Sequence, residues 1–114
     1  MTAAYTDLFM EQGADFSTTI TLDDVYNNFY DLSNFTAASQ MRKSYYTSTI
    51  AANLVVTIPE PTQGLIIISL DAANTSLIFP GRYVYDVFMR NSANNSTTKL
   101  MEGIVNVSPQ VTVF

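Results

Sequence analysis

Ten acids, seven tyrosines and five basic residues carry whatever chemistry this 114-residue chain can do, because it contains no histidine and no cysteine. Without those two, the commonest general base and the usual nucleophile–base pairs are missing. A thiolate zinc site and a disulfide framework are excluded outright. Paired carboxylates are the one enzymatic arrangement left to weigh, and they need two inward acids several ångströms apart in a cleft. Asp86 and Glu102 are the candidates. Both fall on stretches expected to pair as neighbouring strands, which makes them solvent-facing acids balanced by Arg82 or Arg90 across the sheet. Asp23, Asp24 and Asp31 raise calcium, which takes loop carboxylates, but they lack the one-residue spacing and the glycine of an EF-hand loop. Capping of backbone groups by loop acids is the plainer reading. The expectation is no catalytic residue, no metal, no cofactor and no enzyme activity.

Binding is what remains, and the aromatic residues are its natural anchors. Tyr26, Phe29 and Tyr30 crowd a long turn-rich stretch from Asp23 to Asn34, and Tyr45 and Tyr46 sit in a second polar loop. Side chains of this kind stack on sugars or anchor a protein partner. The net charge of −5 and the scatter of Arg42, Lys43, Arg82, Arg90 and Lys99 make no nucleic-acid stripe. Charged residues are 13% of the chain, about half of the usual ~25%, so Ser, Thr, Asn and Gln must cover the surface. A surface so weakly charged is poorly defended against association, which suits a protein whose work is association. The longest apolar run, Leu65 to Ile68, is far too short to span a membrane. The N-terminus lacks a basic region and an apolar h-region, so no signal peptide is expected.

These side chains have to be positioned by strands, because the dominant sequence period is two. The cleanest alternation is Gly81-Arg82-Tyr83-Val84-Tyr85-Asp86-Val87-Phe88-Met89, directly after the Pro80-Gly81 turn signal. Gly-x-Tyr-x is how the sixth strand of an immunoglobulin-like sandwich begins, with the tyrosine hydroxyl tied back to backbone a few residues upstream. Gly81 and Tyr83 would form that corner, and Tyr85 would stand where antibody domains place a cysteine. Further strands are expected at residues 8–10, 16–22, 35–43, 53–58, 65–70 and 100–107, the 65–70 strand being apolar enough for cover on both faces. Asp71 is placed to cap a single helical turn before the corner. About seven short strands fit an all-β immunoglobulin-like sandwich, a jelly roll or small barrel being the alternative. Phe16, Ile20, Leu22, Met41, Val56, Tyr83, Tyr85, Val87, Ile104 and Val107 are the expected core. Residues 1–114 read as one domain. Pro109 should end the last strand, yet Val111, Val113 and Phe114 resume an apolar alternation, so residues 109–114 read as a partner-binding tail.

Four phrases occur in order: Leu8-Phe9-Met10-Glu11-Gln12-Gly13-Ala14-Asp15-Phe16, Ala37-Ala38-Ser39-Gln40-Met41-Arg42-Lys43, Gly81-Arg82-Tyr83-Val84-Tyr85-Asp86 and Glu102-Gly103-Ile104-Val105-Asn106-Val107-Ser108-Pro109. The chain thereby resembles a family of small immunoglobulin-like virion proteins of tailed bacteriophages, including phages of cyanobacteria. The resemblance implies a multi-copy component of the viral tail, baseplate or neck, or a capsid decoration, located in the virion. Its partners would be other virion proteins and copies of itself, with no nucleic acid and no membrane. Recognition of host polysaccharide, a host glycan bound through the tyrosine loops, is the alternative function.

Overall fold

Alternating side chains become strands, and the strands pair into two layers in the computed structural model, which describes residues 4–21 and 32–113. Leu22, Asp23, Asp24, Tyr26, Phe29, Tyr30, Asp31 and Phe114 lie outside the described residues. The strands are β1 (Ala4–Tyr5), β2 (Leu8–Glu11), β3 (Phe16–Thr21), β4 (Phe35–Arg42), β5 (Ala52–Thr57), β6 (Leu65–Leu70), β7 (Gly81–Asn91) and β8 (Thr97–Ser108). A single helical turn, α1 (Ala72–Thr75), precedes β7.

One layer runs β8, β7, β4, with β1 and β2 both parallel to β8 at its edge. The other pairs β3 with β6 and β6 with β5. β5 serves both layers, since Ala52, Asn53 and Leu54 pair with β4 while Val55, Val56 and Thr57 pair with β6. The second and fifth long strands in one layer, facing the third, sixth and seventh, is the connectivity of an immunoglobulin-like sandwich. The fold is all-β and immunoglobulin-like.

The core lies between the layers. Met10, Met41, Ile66, Ile68, Val87, Met89 and Val105 are fully buried there, with Tyr83 and Tyr85 beside them. Each such side chain contributes about 1.5–3 kcal/mol relative to exposure. Phe16, Ile20 and Val56 pack against this core but are only half-buried. Ile104 is a correction, because it faces outward opposite Val84 while Val105 and Val107 face in. The cause is a bulge. The β7–β8 register slips between Val87 and Phe88, so Leu100 and Met101 are both buried and the inward parity of β8 changes after them. β6 is also less enclosed than its composition implies. Ile66, Ile68 and Leu70 point inward, whereas Leu65 and Ile67 are half-covered on the open face of a middle strand.

Three polar ties hold the connections. Tyr83 donates its hydroxyl to the Phe79 carbonyl at 2.7 Å and is buried, as the corner requires. Gly81 enters that corner at φ 145°, a backbone conformation that residues with a side chain rarely adopt. Asp71 accepts from the Asn74 amide at 3.0 Å and caps α1. The third tie is Tyr85, whose hydroxyl donates to the Thr6 carbonyl at 2.5 Å. Gly103 lies opposite Tyr85 in the register, and a Cβ there would collide with the Thr6 backbone.

Tyr83→Phe leaves the Phe79 carbonyl without its donor and should lower unfolding free energy by about 1–3 kcal/mol, measured by urea titration. An unchanged midpoint would show that the corner is not structural. Gly103→Ala should cost about 1–3 kcal/mol by overpacking. It should also increase amide exchange at residues 4–7 before it affects β3 or β6, because the collision displaces the N-terminal strands first.

Candidate functional site

Strand directions decide which loops meet. β2 and β8 run down together to Glu11 and Ser108, β4 and β6 descend to Arg42 and Leu70, and β3, β5 and β7 start upward from the same end. Residues 12–15, 43–51, 71–80 and 109–113 therefore gather at one pole of the sandwich. Side-chain bonds stitch part of this pole together. Buried Thr75 donates its hydroxyl to the Ala14 carbonyl at 2.9 Å and accepts from the Gly13 amide at 3.1 Å. Asp15 accepts from the Ala72 amide at 2.7 Å, and Gln12 donates to the Ile78 carbonyl at 3.0 Å.

Between these ties the pole is apolar and open. Of the eleven large apolar or aromatic side chains exposed among the described residues, eight lie at this end or just above it: Phe9, Tyr45, Tyr46, Ile50, Leu77, Phe79, Val111 and Val113. Tyr46 is 99% exposed, Val111 97%, Phe79 83%, Leu77 80% and Val113 78%. Single exposed apolar residues need no explanation, but a cluster rimmed by polar groups marks an interaction surface.

The expected binding residues divide accordingly. Tyr46, Val111 and Val113 are brought to one pole, although residues 109–113 form no strand, while Tyr45 starts there and lies over β4 and β7 beside Asp86 and Phe88. Tyr26, Phe29, Tyr30 and Phe114 lie outside the described residues. Leu77 and Phe79 were not legible as binding residues from their types alone. The signal was nonetheless present in Leu77-Ile78-Phe79-Pro80, since a short link between a helical turn and a corner can turn only one of three apolar residues inward. Ile78 is that residue, at 4% exposure.

The candidate pair of carboxylates is not placed for a shared reaction. Asp86 and Glu102 are cross-strand partners on the open face of the larger layer, not opposed walls of a cleft. A shallow recess over β4 and β7 is lined by Gln40, Arg42, Tyr45, Asp86 and Phe88 and takes in Asp86 without Glu102. The cation that balances Glu102 is Lys99, at 2.8 Å, and not Arg82 or Arg90. Arg90 instead donates to the Thr97 hydroxyl at 3.3 Å. Burial raises the Asp86 carboxyl above the ordinary carboxylate range; Lys99 and Arg42 pull it back, and Glu102 pushes it further up. Among the described residues no group of three or more potential metal ligands comes together, and no helix is long and apolar enough to cross a membrane.

Fold and site together define an all-β, immunoglobulin-like domain with an apolar, exposed pole. No family model matches the chain, and no curated protein does. Among solved structures it is similar to the filamin domain of Lin-41, at 12% identity over 81% of each chain and a TM-score of 0.39. A likeness that loose carries no argument, and the fold stands on the strand pairing described above.

The Asp86 shift has a sign that can be checked. A carboxyl whose folded pKa is raised favours the folded state at pH values below its ordinary pKa, and that contribution is lost as pH rises through the folded value. Ionised Asp86 thus works against folding at neutral pH. Asp86→Asn should raise the melting temperature at neutral pH, with the gain vanishing as pH falls below the ordinary carboxylate range. A gain that persists unchanged in acid would refute the desolvation account.

Proposed function

We propose that this chain is a structural assembly subunit, a virion component of the tailed-phage kind that works by docking to other proteins and not by catalysis. The observation that carries the reading is the apolar pole, where Tyr46, Leu77, Phe79, Val111 and Val113 stand almost fully in water. Apolar area of this kind gains about 25 cal/mol per Å² when another surface covers it. The outer edge of β3 adds to it. Among the described residues β3 pairs only with β6, and its sequence Phe-Ser-Thr-Thr-Ile-Thr holds no charge and no proline. Sheet edges that must stay unpaired are usually guarded by such residues. The ordered phrases shared with small immunoglobulin-like virion proteins support the tail, baseplate, neck or capsid-decoration setting.

A second reading, recognition of host polysaccharide, is favoured by the recess that joins Tyr45 and Phe88 to Gln40, Arg42 and Asp86. Stacking rings beside planar polar groups suit a sugar. Binding of purified protein to a glycan array in the absence of any virion protein would favour this second reading.

Deletion of residues 111–114 tests the first. The purified chain should keep its melting temperature, because the valines touch solvent and not core. Tagged protein should label a fixed place on intact particles in negative stain, and the deleted form should lose that place. If the deletion unfolds the chain, the tail belongs to the core and the reading fails; absence of label from every particle would equally end it.

A further inference from the structure

We infer that the apolar pole is self-complementary and docks on the same pole of a second copy of this chain about a two-fold axis. The inference rests on the assembly reading above and names one partner within it. Its basis is charge placed on opposite rims. Glu11, Asp15 and Asp71 lie where β2 and β6 end and β3 begins, all exposed. Arg42, Lys43 and Arg82 lie where β4 ends and β7 begins. Acidic and basic rims thus flank the ground that holds Leu77 and Phe79.

Asp15 and Asp71 accept from backbone amides of α1 and Arg42 donates to Thr47 and Gln40, but none of these six charges forms an ion pair with a described residue of its own copy. The one ion pair among the described residues is Lys99 with Glu102, away from the pole. Lys43 and Arg82 make no hydrogen bond or ion pair with a described residue, and the Lys43 ammonium rests 4.7 Å from the centre of the Tyr83 ring. A two-fold axis through the pole carries the basic rim of each copy over the acidic rim of the other, so both rims are satisfied at once. Size is adequate as well. Three aromatic rings at ~150–250 Å² each, with Leu77, Ile50 and two valines, can supply the ~800 Å² that a standard interface takes from each partner.

The test is sedimentation equilibrium of the full chain with charge-reversed rims. Wild type should be a dimer whose dissociation constant rises with salt. Lys43→Glu with Arg82→Glu makes both rims acidic, and Glu11→Lys with Asp15→Lys makes both basic. Each double variant alone should lose affinity about tenfold or more, and an equimolar mixture of the two should recover a heterodimer. Leu77→Ser, an exposed site that leaves the core intact, should also dissociate the dimer; circular dichroism confirms that each variant is folded. A wild type monomeric at every concentration, a dimer indifferent to both double variants, or a mixture that fails to pair would overturn the inference. A monomeric chain that still labels particles refutes the two-fold contact and leaves the assembly reading standing. A dimer that labels no particle does the reverse.

Discussion

The structure depends on one buried hydroxyl. Tyr85 stands at the centre of β7, where related architectures cross-link the layers with sulfur, and this chain has no cysteine. Its hydroxyl reaches the Thr6 carbonyl instead, through the space that Gly103 leaves by lacking a side chain. The Thr6 amide then donates to the Glu102 backbone carbonyl, and the Asp7 carboxylate accepts from the Ile104 amide. Burial, followed by the charges of Asp7 and Tyr5, pushes the Tyr85 phenol up to about 12. The group therefore stays protonated, and stays a donor, across the physiological range. A raised folded value also means that this part of the stability is present below the ordinary tyrosine pKa and is lost as pH climbs through the folded one.

What hangs on that bond is the N-terminal edge. β1 and β2 are short and parallel to β8, and parallel pairing is slightly weaker per residue than antiparallel. Held in place, β2 drives Leu8 and Met10 into the core and delivers the 12–15 turn to α1. Thr75, Asp15 and Gln12 then lock turn, helix and corner into one rigid base. Gln110 joins that base through its amide, which donates to the Gln12 side chain at 3.3 Å. Leu77, Phe79 and the valines of residues 111–113 consequently project from a fixed platform. Apolar groups held on such a platform lose little further freedom on docking, which is what makes exposed area effective in binding.

The placement of the described acids and that of the described apolar surface point the same way. Asp86 and Glu102 lie on an open sheet face, Asp15 and Asp71 accept from backbone amides, and most of the exposed aromatic and aliphatic side chains among the described residues collect at one end. A surface covered mainly by Ser, Thr, Asn and Gln does not repel a neighbour, and uneven placement of the few charges is then enough to select one.

Local rules made much of this readable from residues alone. Period-two alternation located the long strands, Pro80-Gly81 and the tyrosine two residues on located the corner, Asp71 located its helix cap and Pro109 the last strand's end. Each is decided within a few residues of chain by sterics or a short hydrogen bond. Tertiary structure decided the rest. The bulge at Val87 and Phe88 reversed the inward parity of β8 and sent Ile104 to the surface, because register depends on a partner strand that no local pattern contains. The same bulge turned Lys99 and Glu102, three residues apart on β8, to one face, so Glu102 pairs along its own strand and not with either arginine. The division of β5 between two layers, and the meeting of four separate loops at one pole, follow from strand direction and order. Alternation says that a residue must choose a side, and only the assembled layers say which side is water.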